Sequence, residues 1–365
     1  MPYKILVINP GSTSTKLAYF EDDKKLIEEK LFHDSTILRQ FADLNDQLGY
    51  RMEVILKFID DHHIDMNQVD AIACRGGGSY PVHSGVYEVD DLLVQHTREA
   101  RGGIHHVANL GVQLGRELQK VYGGRVFMVD PTVVDELQDL ARITGVKGIY
   151  RLVASHVLNQ KATARYHSAK MGVKYEDSRY IVCHIDGGIT ISAHEYGRMI
   201  DGNNGSGGEG PFSPTRMGSM SITDLIEYFG DTPCSDLRML CMESGGLSSH
   251  FGTSDSDAIH KKVDEGDPEA TRVWHAMIYQ IAKWIGSMSV VLKGNVDAII
   301  LTGGLMRFAD IKEMIEEYCG HIAPIYVYPD ELEMEALSDG AIRVLSGQQE
   351  ALHYTGRPAW EGFKD

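Results

Sequence analysis

Long hydrophobic runs are missing from this 365-residue chain. No uninterrupted apolar stretch approaches the ~20 residues that a helix needs to span a bilayer, which excludes a transmembrane helix. Basic charge is scarce as well: 35 Lys and Arg stand against 52 Asp and Glu, a formal net charge of −17. Neither nucleic acid nor an anionic membrane is therefore expected as a partner. Cysteine is sparse, with five residues, an odd number, and no CxxC or CxxH pair. That argues against a metal-finger pattern or a disulfide framework. Because Cys74, Cys183 and Cys319 sit in or beside apolar runs, buried free thiols are predicted. The opening Met1-Pro2-Tyr3-Lys4 has no basic stretch followed by an apolar core, so a cytoplasmic protein is expected. Linkers are few. Residues 202–211 form the one glycine-dense segment, which cannot be regular structure. Residues 244–252 are predicted to be an exposed loop, and the acidic tract 254–265 a solvated surface.

What the chain does have is ordinary globular composition, 43% hydrophobic and 24% charged. Its length suffices for two cores, since single cores stop growing at roughly 250–300 residues. It also has a repeat. The apolar run Ile5-Leu6-Val7-Ile8 opens into Asn9-Pro10-Gly11-Ser12-Thr13-Ser14-Thr15-Lys16. The run Ile181-Val182-Cys183-His184-Ile185 opens into Asp186-Gly187-Gly188-Ile189-Thr190-Ile191-Ser192. Superposed, Ile8 meets Ile185, Asn9 meets Asp186, Gly11 meets Gly188 and Thr13 meets Thr190. Each copy predicts a buried strand, a tight turn whose glycine permits close backbone approach, and a returning strand rich in hydroxyls. Turns of this kind present consecutive backbone N–H groups, which suit phosphate oxygens. Two of them facing each other would grip a polyphosphate from both sides.

The repeat continues. Val69-Asp70-Ala71-Ile72-Ala73-Cys74-Arg75-Gly76-Gly77 matches Val296-Asp297-Ala298-Ile299-Ile300-Leu301-Thr302-Gly303-Gly304, each a predicted buried parallel strand ending in glycines. Helical periodicity precedes both. Before the second copy it runs through Ile278, Ile281, Ala282, Ile285, Met288, Val291 and Leu292; before the first, through Val54, Ile55, Phe58, Ile59 and Ile64. A further strand closes each half, ending at Asp130 and at Glu331. The same order of modules used twice predicts a duplicated α/β domain. Residues 333–349 follow a helical pattern that would let the C-terminal segment pack back across the domain boundary.

Phosphoryl transfer needs cations and N–H dipoles around the moving group, carboxylates for Mg²⁺, and an acceptor held in line. The candidates are therefore isolated Arg, His, Asp and Glu at strand ends and in glycine loops. Arg75 directly precedes Gly76-Gly77-Gly78, and Arg216 lies in Pro214-Thr215-Arg216-Met217-Gly218. His105 and His106 precede Val107-Ala108-Asn109-Leu110, and His156 lies in Ala154-Ser155-His156-Val157. Asp130 and Glu331 each close a strand. With 16 histidines in the chain, most must be ordinary.

In this order the motifs resemble the acetate and butyrate kinases of the actin-like, hexokinase-like ATPase superfamily, along nearly the whole chain. Residues 9–16 resemble the family's N-terminal asparagine-glycine-serine signature. His105-His106-Val107-Ala108-Asn109-Leu110 is similar to its histidine–alanine–asparagine–leucine element, and Ser155-His156 to its second histidine site. His184-Ile185-Asp186-Gly187-Gly188 resembles its central phosphate loop, Thr215-Arg216 its catalytic arginine turn, and Leu301-Thr302-Gly303-Gly304 its adenosine loop. There is one departure. Acetate kinases carry an arginine a few residues before a histidine-glycine-glycine, whereas here Arg75 itself precedes the glycines. Together with the shorter chain and Tyr328-Pro329-Asp330-Glu331-Leu332-Glu333-Met334-Glu335-Ala336-Leu337, this resembles the butyrate kinase branch, which includes enzymes for branched short-chain acids.

The resemblance implies two duplicated actin-like (ribonuclease H-like) α/β domains, each a mixed sheet flanked by helices, with an interdomain ATP cleft. Residues 1–133 plus 334–365 would form one domain and 134–333 the other. Arg75 would bind the carboxylate of the acid, Arg216 would stabilise charge on the moving phosphoryl oxygens, and His156 would donate a hydrogen bond to the same group. His105 joins this catalytic set. Asp130 and Glu331 would hold Mg²⁺, with Glu333 a close competitor to Glu331. Asn9, Gly11, Ser12, Thr13, Lys16, His184, Asp186, Gly187 and Gly188 would line the phosphates of ATP or ADP, and Gly303 and Gly304 would pass under the nucleoside. The activity implied is reversible phosphorylation of a short-chain fatty acid in a homodimer or larger assembly. An acetate or propionate kinase is the alternative within the fold. A sugar kinase lacks support, because no dense set of Asp, Asn and Glu lies near the first turn. A nucleotide-switched actin or chaperone ATPase would need a partner module for which 365 residues leave little room.

Overall fold

The repeated apolar runs become the central strands of two separate sheets in a computed structural model, which describes residues 2–103 and 105–363. The chain divides into two units, Met1–Asp135 with Leu332–Asp365, and Glu136–Glu331. Unit 1 holds β1 (Lys4–Pro10), β2 (Ser14–Glu21), β3 (Lys24–Phe32), β4 (Ala71–Cys74), β5 (Val86–Glu88) and β6 (Arg125–Val129). They lie in the order β3-β2-β1-β4-β6-β5, with β1, β4 and β6 parallel. Parallel strands covered on both faces read as unbroken apolar runs, and Ile5, Leu6, Val7 and Ile8 are all fully buried. At the sheet edge, β3 carries Lys24, Lys25, Glu28, Glu29 and Lys30, charges that discourage pairing with another strand.

Alternation along these strands sends Leu6, Ile8, Ile72, Cys74, Val126 and Met128 to one face. There they pack with Ile55 and Phe58 of helix Leu48–Asp61 and Leu110, Leu114 and Leu118 of helix Asn109–Tyr122. The C-terminal helix Glu333–Leu345 contacts β1, β4 and β6, and its Gly340 fits against Val129. The helical pattern at the C-terminus thus completes the layer of unit 1.

Unit 2 repeats the plan with β7 (Arg179–Ile185), β8 (Ile189–Glu195), β9 (Arg198–Gly202), β10 (Ala298–Gly303) and β11 (Ile325–Pro329), ordered β11-β10-β7-β8-β9. Leaving β5 aside, this is the strand order of unit 1. Helix Pro268–Val291 starts on Asp267, whose carboxylate accepts from Glu269 N and Ala270 N, with Pro268 at the first helical position. It buries Trp274, Met277, Ile278, Ile281, Ala282, Ile285 and Met288 at helical spacing. Each such fully buried side chain contributes roughly 1.5–3 kcal/mol. Helix Val157–Met171 contacts β7 and β10. Its Lys161 pairs with Glu136 at 2.7 Å, both nearly inaccessible, which ties the start of unit 2 to this helix.

One expectation is corrected. Residues 244–252 are not an exposed loop: Leu247–Phe251 is a short helix and Leu247 is fully buried. Gly246 lies so close to Ser213 O that a Cβ there would stand 1.7 Å from it, and Gly245 N donates to Thr215 O. Polar composition disguised a segment that braces the arginine turn. Cys74, Cys183 and Cys319 are buried free thiols, and burial raises the pKa of all three, that of Cys319 to about 11. Among the described residues no helix is long and apolar enough to cross a membrane.

Candidate active site

In unit 1 the first hairpin pairs Ile8 with Leu17, Asn9 with Lys16 and Pro10 with Thr15, leaving Gly11 to Ser14 as the turn. Gly11 N donates to Ser14 O at 2.7 Å. Ser12 and Thr13 are exposed at the tip, while Gly11 and Lys16 are half-buried. Thr13 lies in the turn, whereas Thr190 is a strand residue opposite His184, so the two threonines are not equivalent. The second hairpin closes at Ile185 and Ile189, which makes the first turn the longer one.

Asn9 is buried, and its Nδ2 donates to Glu333 Oε2 at 2.8 Å. Arg75, whose N donates to Ile8 O, extends Nη1 to the same Glu333 oxygen at 3.2 Å and to Asn9 Oδ1 at 3.4 Å. The Glu333 side chain is only 4% exposed, so a guanidinium here already meets a sheltered carboxylate. Asp130 follows β6 in a left-handed conformation (φ 36°), with Oδ1 accepting from Ser84 Oγ at 2.5 Å and Gly85 N at 2.9 Å. His105 is exposed. His106 Nδ1 accepts from Ala108 N at 3.1 Å, beside the start of helix Asn109–Tyr122.

Sequence reasoning missed Arg51. It is fully buried, with Nη1 donating to Thr15 Oγ1 (3.0 Å) and Ser14 O (3.3 Å), Nη2 to Ser12 O (3.4 Å) and Nε to Gln47 Oε1 (3.1 Å). All four acceptors are uncharged. Burial pulls its pKa down to about 10, which leaves it a cation at neutral pH, directly behind the first turn. Thr15 Oγ1 also meets His33 Nε2 at 2.8 Å, and burial together with Arg51 depresses His33 to about 4. The signal was available: Arg51 stands on the same helical stripe as Ile55 and Phe58, where an unpaired charge is out of place.

In unit 2 the turn Asp186-Gly187-Gly188 is braced by its neighbours. Gly187 O accepts from Ser213 Oγ at 2.7 Å and Thr215 Oγ1 at 2.9 Å, and Ser213 Oγ accepts from Arg216 N at 3.1 Å. These bonds lay the Arg216 guanidinium over Gly188, where a Cβ would stand 2.4 Å from it. Asp186 Oδ1 accepts from Gly187 N, and its Oδ2 from Gly304 N at 3.2 Å. Gly303 has φ 105° and lies against Ile185 O, a conformation and a closeness only glycine tolerates. The adenosine-loop candidates Gly303 and Gly304 therefore abut the turn directly.

His184 is buried in β7 and stacks on His156, ring centroids 3.9 Å apart and planes 16° from parallel. His184 Nε2 is 3.9 Å from Glu331 Oε1. His184, Asp186 and Glu331 bring one donor atom each within 4.8 Å of one another. Their two carboxylates match the oxygen preference of Mg²⁺, and the imidazole does not. The metal pair expected from the sequence, Asp130 and Glu331, is divided between the units; within unit 2, Glu331 has His184 and Asp186 as its neighbours.

Residues 146–355, more than half of the chain, match the acetokinase family. The chain belongs to that family, whose members are ATP-dependent phosphotransferases with a carboxyl group as acceptor. Its fold is that of solved members. An acetate kinase from Porphyromonas gingivalis superposes with a TM-score of 0.77 at 19% identity, covering 93% of this chain and 99% of its own. A propionate kinase from Francisella tularensis subsp. tularensis SCHU S4 gives 0.77 at 15%, covering 93% and 98%. An acetate kinase from Entamoeba histolytica gives 0.74 at 17%, covering 93% and 99%.

Proposed function

We propose that the chain phosphorylates a short-chain fatty acid, butyrate or a branched analogue, to an acyl phosphate and ADP, reversibly and with Mg²⁺. The observation that supports the choice of acid is Arg75 standing directly before Gly76-Gly77-Gly78, a departure from the acetate kinase pattern that resembles the butyrate branch. Unit 1 supplies Arg75 for the acid's carboxylate, and Asn9, Gly11, Ser12, Thr13 and Lys16 for phosphate; His105 and Asp130 complete its set. Unit 2 supplies Arg216 and His156 for the moving phosphoryl group. Its His184, Asp186, Gly187 and Gly188 serve phosphate, and Gly303 and Gly304 the nucleoside. Asp186 and Glu331 provide oxygen ligands for Mg²⁺, which when bound neutralises charge on the phosphate oxygens. Carboxylate and polyphosphate repel, and the fixed cations Arg75 and Arg216 offset that repulsion. The working form expected is a homodimer or larger.

The test is a kcat/KM profile over acetate, propionate, butyrate, isobutyrate and isovalerate, read as ADP release. A maximum at four or five carbons is expected; each methylene is worth ~1–3 kcal/mol of discrimination, so the maximum will be broad. A maximum at acetate or propionate would move the chain to that branch of the family. Arg75→Ala is expected to raise KM for the acid more than it lowers kcat.

A further inference from the structure

Asn159 and Gln160 occupy the first turn of helix Val157–Met171, and both are fully buried. Neither has a place in the chemistry assigned above, yet each touches the surroundings of one ring of the stacked histidine pair. Their hydrogen bonds determine where the ring protons lie.

The Thr302 hydroxyl has a single proton, and it faces Asp330 O at 2.9 Å. A carbonyl oxygen only accepts, so Thr302 donates there and can only accept from Asn159 at 3.3 Å. The Asn159 group at this point is therefore the NH₂. The same Nδ2 lies 2.8 Å from His184 Nδ1, which must then be the unprotonated ring nitrogen. In neutral imidazole this puts the proton of His184 on Nε2, the atom that faces Glu331.

An independent chain of bonds fixes the second ring. Gln160 Nε2 donates to the Thr190 carbonyl at 2.9 Å, while Gln160 Oε1 accepts from Ser192 Oγ at 2.7 Å and Ser155 Oγ at 3.1 Å. Of the two acceptors left for the second Gln160 Nε2 proton, Thr190 Oγ1 at 3.2 Å is nearer than Val182 O at 3.4 Å; with His156 N at 3.4 Å, this fills the accepting positions of Thr190 Oγ1. Its proton is left for His156 Nδ1 at 2.9 Å. His156 therefore also carries its proton on Nε2.

We propose that Asn159 and Gln160 are positioning residues that lock His184 and His156 as a stacked pair of Nε2–H tautomers. Both rings then present an N–H donor, suited to a phosphoryl oxygen, and neither presents a lone pair at Nε2 to a metal ion. This deepens the kinase assignment and rests on it for the identity of the acceptor. It also explains how an imidazole stands beside two carboxylates without serving as a metal ligand: Asp186 and Glu331 are left to that role.

The experiment is ¹⁵N spectroscopy of the histidine rings in the full chain without substrate, with signals assigned by His156→Gln and His184→Gln. Both histidines are expected to show a pyridine-type Nδ1 and a pyrrole-type Nε2, unchanged on adding Mg²⁺. Asn159→Asp places only acceptors before His184 Nδ1, so it should move that ring's proton to Nδ1 while leaving His156 as it was. By taking one N–H donor from the phosphoryl group, the same variant should lower kcat by about 100- to 1000-fold. A pyrrole-type Nδ1 on either ring of the wild type would overturn the proposal, as would a metal-shifted His184 Nε2. So would a folded Asn159→Asp variant with His184 unchanged. If that variant does not fold, the wild-type spectrum decides alone. Because no substrate is present, failure here is separable from failure of the kinase assay.

Discussion

The two hairpins share a strand order and differ in where they keep their positive charge. Behind the first lies Arg51, buried and bonded to Ser12 O, Ser14 O and Thr15 Oγ1, while Lys16 stands half-buried on the returning strand. In the second, Arg216 is carried over the face of Gly188 by a loop that grips Gly187 O. A charge behind a turn holds its shape and adds a constant field. A charge on the face can touch whatever the turn binds. The two halves thus share a scaffold and place these guanidinium groups differently, one behind its turn and one over its face.

That contrast can be broken by substitution. The largest effect is expected from Arg216→Ala: kcat should fall on the order of 10³-fold or more with ATP affinity nearly intact, as measured by steady-state kinetics and nucleotide titration. A kcat close to wild type would remove Arg216 from the mechanism. Gly188→Ala should come next, because its methyl would occupy the place of the guanidinium. Displacing a catalytic group by about 1 Å costs about 100-fold in rate, and the thermal midpoint should barely move. Full activity in this variant would show that Arg216 works from elsewhere.

Arg51→Met should behave oppositely. It leaves buried acceptors unsatisfied, a loss of roughly 1–3 kcal/mol in urea unfolding, with a raised KM for ATP and a much smaller change in kcat. If its kcat fell as far as that of Arg216→Ala, the division between holding and reacting would collapse. The smallest effect concerns pH. His33 is depressed to about 4 in the folded chain by burial and by Arg51, so the unfolded chain takes up its proton first. Stability should be fully present above pH ~6.5 and decline as the pH falls towards 4. His33→Asn should flatten that part of the unfolding profile; an unchanged profile would place the acid sensitivity elsewhere.

Much of the scaffold was legible because parallel strands buried on both faces must be continuous apolar runs, and two such runs at Ile5 and Ile181 open into glycine turns. The long helix before β10 announced itself through the spacing of Ile278, Ile281 and Ile285. Other features left weaker traces. Residues 244–252 look like a loop because serine and glycine are polar or small, yet their backbone packs on Ser213 and Thr215. Arg51 was hidden because charge was sought at strand ends, not on the apolar stripe of a helix. The bond between Arg75 and Glu333 joins residues far apart in the chain, a contact that no local pattern encodes. Turn length escaped as well: matching Thr13 to Thr190 ignored that the first hairpin stays paired past Ile8 to Pro10 and Thr15, while the second closes at Ile185 and Ile189.

The most direct test is trapping with hydroxylamine. Incubated with ATP, Mg²⁺ and butyrate, the chain should yield butyryl hydroxamate, and the yield should vanish without the acid. ATP hydrolysis at the same rate with or without butyrate, and no hydroxamate, would contradict the account.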